Sequence, residues 1–186
     1  MKRFTFLLVA VVIVAGSTVS LRSVSGHVDE EASPIYGITI PAGYRDWKLI
    51  SVSEIAAGDH SQLRAEFGND IAIKAFRDGT LPFPDGTIIA AQHWTKDSSP
   101  ENNKVLTFFP MIPGVGSPTS FVPGSAINVQ FMVKDSKKYA ATGGWGFADF
   151  TEGKPGSEAL HKTCFACHQP AKDRDFVYTR YALEHK

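Results

Sequence analysis

Both cysteines of this chain fall inside one five-residue stretch, "CFACH", residues 164–168. Two cysteines three positions apart, with a histidine directly behind, limit the fold more than any other feature. Whatever the chain builds must present this stretch to a single partner. Three chemistries compete for it. A structural disulfide across two residues closes a tiny loop, so it removes little entropy from the unfolded chain. A redox dithiol of the thioredoxin kind normally opens a helix, where the positive helix end lowers a thiol pKa. Here the stretch closes a predicted helix. Ser157 is a suitable N-cap, Glu158 matches the positive helix end, and Pro170 ends the run "SEALHKTCFACHQP". The third chemistry is covalent attachment of haem c, whose signature is C-x-x-C-H. On a helix, Cys164 and Cys167 share a face and can reach both vinyl groups of one porphyrin. His168 is turned about 100° further round the axis, toward iron, as proximal ligand. The spacing favours this third reading.

The N-terminus fits that assignment. Lys2 and Arg3 precede an apolar run from Phe4 to Ala15, followed by small polar residues. This is the plan of a secretory signal peptide. The run is short for a bilayer span, which takes about 20 residues. Residues 1–25 are therefore read as a signal, residues 26–40 as a flexible lead-in, and residues 41–186 as one domain. The expected location is the periplasm, with no membrane association after cleavage. Lysine plus arginine balances aspartate plus glutamate at 19 each, without a basic stripe, so nucleic acid is not an expected partner.

The domain reads as α+β: mostly antiparallel sheet with one inserted helix and a C-terminal helix that bears the haem. Residues 44–54 read as a first strand. Asn69 or Asp70 as N-cap and Gly79 as stop predict a helix over 70–78. "FPDGTIIAAQHW" (83–94) is a turn running into a strand, and residues 99–104 a loop. Residues 107–124 hold four prolines and three glycines, too many for a long regular element. Residues 128–150 read as a hairpin, with Val129, Phe131 and Val133 on one face and Asn128, Gln130 and Lys134 on the other. Asp135 and Ser136 open its turn, and Gly143 and Gly144 let the backbone bend or meet something bulky. Four or five strands result.

Four blocks in order, "IPAGYRDWKLIS", "GNDIAIKAFRDGTLPFPDGTIIA", "FMVKDSKKYAATGGWGF" and "TCFACHQPAKDRDFVYTRY", resemble the cytochrome P-460 family, which includes the beta-type cytochromes c-prime. The resemblance implies a periplasmic, mostly antiparallel-sheet protein, commonly a homodimer. It further implies one c-type haem with histidine on one side and an open or weakly occupied site on the other. Members bind nitric oxide or oxidise hydroxylamine and nitric oxide. The oxidising branch links a lysine to the porphyrin. At that position this chain carries Ala91, followed by Gln92 and His93, and no lysine occurs between Lys74 and Lys96. The resemblance therefore implies binding of a small nitrogen species such as nitric oxide. An oxidoreductase acting on hydroxylamine or nitric oxide is the alternative. An electron-transfer cytochrome with a methionine sixth ligand, serving a redox partner protein, is a further one.

For the distal side, Phe131 and Phe67 are candidate apolar caps, with ordinary core packing as the alternative. Met111 in the proline-rich stretch is the candidate sixth ligand. Asp149 is the candidate proton acceptor for an oxidative reaction, and His93 could also face the pocket. Arg180 and Tyr178 are candidates to pair with haem propionates.

Overall fold

The computed structural model of the chain describes residues 31–56, 58, 60–106 and 119–182. The signal segment and Met111 lie outside the described residues. Six strands form one antiparallel sheet in simple sequence order: β1 (Lys48–Ile55), β2 (Gln62–Gly68), β3 (Ile88–Ser98), β4 (Phe121–Lys134), β5 (Trp145–Thr151) and a short edge strand β6 (Lys154–Pro155). Among the described residues, three α-helices interrupt or follow it: α1 (Asp70–Asp78), α2 (Pro100–Leu106) and α3 (Glu158–His168). The α+β class holds, with two differences from the sequence reading. Among the described residues the sheet has six strands rather than four or five, and residues 100–104 of the predicted loop lie in α2, with Ser99 directly before it. Ser99 accepts a hydrogen bond from the Asn102 amide and Pro100 takes the first helical position. That pairing is a helix start in its own right.

α1 forms as its ends dictate. The Asn69 side chain accepts from the Ala72 amide, and Gly79 closes the helix in a left-handed conformation with its N–H bonded back into the last turn. Asn69 also accepts from Ile88 N–H and donates to the Gly86 carbonyl. One side chain thus ties the start of α1 to the start of β3. The first strand begins at Lys48, because Tyr44–Asp46 form a single 3-10 turn. The unpredicted β2 carries a period-two pattern, Leu63, Ala65 and Phe67 against Arg64 and Glu66. Residues 33–38 are not a loose lead-in: Tyr36 and Ile38 are buried in the core, and Tyr139 donates its hydroxyl to the Tyr36 carbonyl. Among the described residues, no helix is long and apolar enough to cross a membrane.

Strand register fixes two unlike faces. Phe67, Ala90, Phe131 and Ala148 form one rung of the first face. There Phe131, almost fully buried, packs edge-on against Tyr44 at 5.2 Å and Phe150 at 5.9 Å. The opposite face carries the rungs Gly68–Ile89–Met132–Phe147, Glu66–Ala91–Gln130–Asp149 and Arg64–His93–Asn128. α1 and α3 pack on this second, more polar face. A Cβ on Gly68 would stand 2.8 Å from Ala72 Cβ, so glycine lets α1 approach the sheet.

Candidate functional site

α3 brings the cysteine–histidine stretch to the polar sheet face. Ser157 caps the helix by accepting from the Leu160 amide. His161, with no exposed surface, clamps the helix to β5: its Nε2 accepts the Asp149 amide at 3.2 Å and its Nδ1 donates to the Ser157 carbonyl at 2.8 Å. A cavity of about 320 Å³ opens between helix and sheet. Its helix wall includes Cys164, Cys167 and His168. Its sheet wall includes Arg64, Glu66, Ala91, Gln130, Met132 and Asp149. The volume lies in the range of cofactor and ligand sites.

His168 is oriented for metal binding. Its Nδ1 lies 2.8 Å from the Phe176 carbonyl oxygen, which can only accept, so Nδ1 carries the proton and Nε2 keeps its lone pair. Burial holds the imidazole pKa below its usual value, which preserves the neutral, ligating form. The ring lies 4.9 Å from Phe147 and 5.6 Å from Tyr178. Both cysteines are free thiols, Cys164 half-buried and Cys167 exposed. Burial, the Asp149 carboxylate and the neighbouring Cys167 push the Cys164 thiol up. That is the opposite of what a thiolate-driven redox dithiol needs. Two thiols and one oriented imidazole on a single cavity wall fit a covalently attached haem.

The sheet wall is polar and well connected. The Asp149 carboxylate accepts from Asn128 Nδ2 at 2.6 Å and from Gln130 Nε2 at 3.0 Å. Glu66, nearly fully buried, pairs with Arg64 at 2.8 Å and accepts from the Thr179 hydroxyl at 3.3 Å. Burial raises the Glu66 pKa against the opposing pull of Arg64 and Thr179. His93 is buried one rung away, with Nδ1 on Gln62; its Nε2 and Asn128 Oδ1 have no hydrogen-bond partner among the described residues. Burial and Arg64 hold the His93 pKa down.

The other sequence candidates divide between this cavity and the rest of the fold. Asp149 and Tyr178 join the cavity, and the Tyr178 hydroxyl donates to the Cys167 carbonyl. Phe131 borders the cavity, but its ring packs on the reverse face, so it is a core residue and not a cap. Phe67 shares that reverse face by register, for the same reason of strand alternation. Arg180 lines a separate pocket of about 230 Å³ beside α1, together with Ala75, Phe76 and Val177. Lys96 pairs with Glu54 at 2.5 Å, over the Phe121 ring. Among the described residues, no lysine lines the cavity, and Ala91 stands in its wall. Arg64, Glu66, Gln130 and Met132 were not sequence candidates. The alternation of β2 carried the signal for the first two.

No curated protein matches the chain. The family model described as Cytochrome P460 matches residues 41–179, a span holding the whole sheet and the cysteine–histidine helix. The chain therefore belongs to the cytochrome P460 family, and is a haem-binding cytochrome.

Proposed function

We propose that this chain is an exported cytochrome that carries one covalently bound haem c and binds a small nitrogen species, nitric oxide foremost, at an open distal position. The observation that carries the reading is the cavity itself. Cys164, Cys167 and His168 converge on one wall, with His168 Nε2 free to ligate, and Ala91 stands in the other wall. Cys164 and Cys167 supply the two thioethers, and His168 the proximal nitrogen. The bound haem supplies an iron with one coordination position for a diatomic ligand. The remaining work falls to the chain. Phe176 fixes the imidazole tautomer. Ile89 and Phe147 contribute apolar wall, while Gln130 and Asp149 contribute polar atoms that can orient a ligand. Tyr178 sits by the proximal side, against the His168 ring. Residues 1–25 direct export and are then removed, and the mature protein works in the periplasm.

The test is an optical spectrum of holoprotein made in a host that assembles c-type cytochromes, before and after nitric oxide. A high-spin spectrum with an ordinary Soret band that shifts on addition supports the reading. A protein without haem, or one whose spectrum ignores nitric oxide, ends it. A strongly red-shifted ferrous Soret band would instead favour the oxidoreductase, with Asp149 or Glu66, whose pKa burial raises, as the group that handles protons. A second reading rests on Met132, a thioether in the cavity wall that sequence reasoning had not singled out. If Met132 fills the sixth position, the protein is an electron carrier. Its spectrum is then low-spin, and Met132→Ala converts it to high-spin.

A further inference from the structure

We infer that the buried ion pair Lys134–Asp175 is a positioning device for the proximal histidine, acting through the Phe176 carbonyl. The inference rests on the reading of His168 as iron ligand and adds residues that reading does not contain.

Asp175 and Phe176 are consecutive non-glycine residues with positive φ, 51° and 65°. Left-handed backbone is unfavourable for L-residues, and two in succession persist only where the surroundings over-determine them. The surroundings here are explicit. Lys134 Nζ lies 2.8 Å from both Asp175 carboxylate oxygens, donates to the Gly143 carbonyl at 3.1 Å, and sits 5.0 Å from the Trp145 ring centroid. The second Asp175 oxygen also accepts the Phe83 amide at 2.8 Å. Both side chains of the pair are more than nine-tenths buried, at 6 % and 8 % exposure. On the next residue, the Phe176 ring lies over Gly143, where a Cβ would stand 2.2 Å from the ring. It also packs on Phe165 at 5.4 Å. Backbone dihedrals aim a carbonyl, so what fixes residues 175 and 176 aims the oxygen that holds His168 Nδ1–H.

A buried ion pair is a poor way to gain stability, because desolvation offsets most of the attraction. What it does supply is a fixed geometry. A ligating histidine takes its tautomer, ring orientation and basicity from the partner of its other nitrogen, and loss of such partners typically changes affinity or activity about 10–100-fold. The chain therefore links β4 to the proximal face: Lys134 holds Asp175, Asp175 holds the left-handed turn, and the turn holds the imidazole.

The experiment uses holoprotein and two variants, Lys134→Met and Asp175→Asn. Asparagine tolerates left-handed backbone, so Asp175→Asn removes the charge while leaving the turn accessible. Resonance Raman spectroscopy of the ferrous protein reads the iron–histidine stretch, and redox titration reads the midpoint potential. A weaker Phe176–His168 hydrogen bond makes the imidazole a poorer donor. The stretch is then expected to move to lower frequency and the potential to rise, to a similar extent in both single variants and no further in the double variant. Ile50→Ala, a truncation in β1, controls for general loss of stability. An unchanged stretch and potential in Asp175→Asn, or an equal change in Ile50→Ala, overturns the inference. If Lys134→Met does not accumulate as holoprotein, Asp175→Asn decides alone.

Discussion

Replacing His161 by leucine isolates the clamp between α3 and the sheet. The imidazole has no exposed surface and makes two side-chain hydrogen bonds, accepting from Asp149 N–H and donating to the Ser157 carbonyl. These losses are unequal. The Ser157 carbonyl also accepts the backbone N–H of residue 161, at 3.1 Å, so it stays satisfied in the variant. The Asp149 amide has no such substitute and is left buried and unpaired. One orphaned donor costs about 1–3 kcal/mol. Leucine is close to histidine in size, so shape mismatch adds less than about 1.5 kcal/mol. For a chain of this length, about 1 kcal/mol moves the melting temperature by roughly 2–4 °C. Together these terms come to about 1–4.5 kcal/mol, so His161→Leu should lower the melting temperature by about 2–18 °C and lower the urea midpoint at an unchanged m-value. His161→Gln, whose amide oxygen can accept from Asp149, should recover part of the loss. Equal urea midpoints for the parent and His161→Leu would refute the assignment of His161 as the clamp. Because Asp149 also presents its carboxylate to the cavity, the same variant should perturb the ligand-induced spectral change.

Gly143→Ala places a methyl 2.2 Å from the Phe176 ring at a backbone φ of 67°. The left-handed strain and the overpacking together cost roughly 2–5 kcal/mol, read by urea denaturation, and a cost near zero would show that residues 143 and 176 are not in contact. Asn69→Ala removes the α1 cap and its bonds to Ile88 and Gly86, and should cost about 1–2 kcal/mol with no change in the haem spectrum. Glu66 supplies a pH test. Its folded pKa is raised by burial, so the folded state holds the proton longer than the unfolded state does. Stability is therefore lost as pH rises from about 4.3, the ordinary glutamate value, through the raised folded pKa, and is level above it. Glu66→Gln should remove that loss, so that urea midpoints compared at about pH 5 and about pH 8 differ less than in the parent. An identical pH dependence in the two proteins would contradict it.

Local signals in the sequence were sufficient for α1 and α3. Asn69 and Gly79, and Ser157 at the start of the last helix, are caps whose chemistry acts within one turn. The hairpin of residues 128–150 was legible for a similar reason, since alternation and turn residues act between neighbours. α2 was missed because "SPENNK" is polar throughout and reads as a loop, although Ser99 and Pro100 are a helix start. β2 was missed because its five alternating residues adjoin α1, and the two periods blur where they meet.

Sequence alone also placed two thiols and an imidazole on one helical turn, because three-residue spacing on a helix is a matter of local geometry. Only the tertiary structure decided what that turn faces. In β4 the apolar set, including Phe131, turned to the core, and the polar set, with Asn128 and Gln130, turned to the cavity side instead of open solvent. A pattern of period two separates two faces but does not say which of them a later helix will cover. The Phe176 carbonyl on His168, and the Lys134–Asp175 pair behind it, likewise join residues that are distant along the chain or act through backbone alone. No residue type announces a carbonyl's direction; the fold sets it by closing the sheet, α3 and the C-terminal segment around one another.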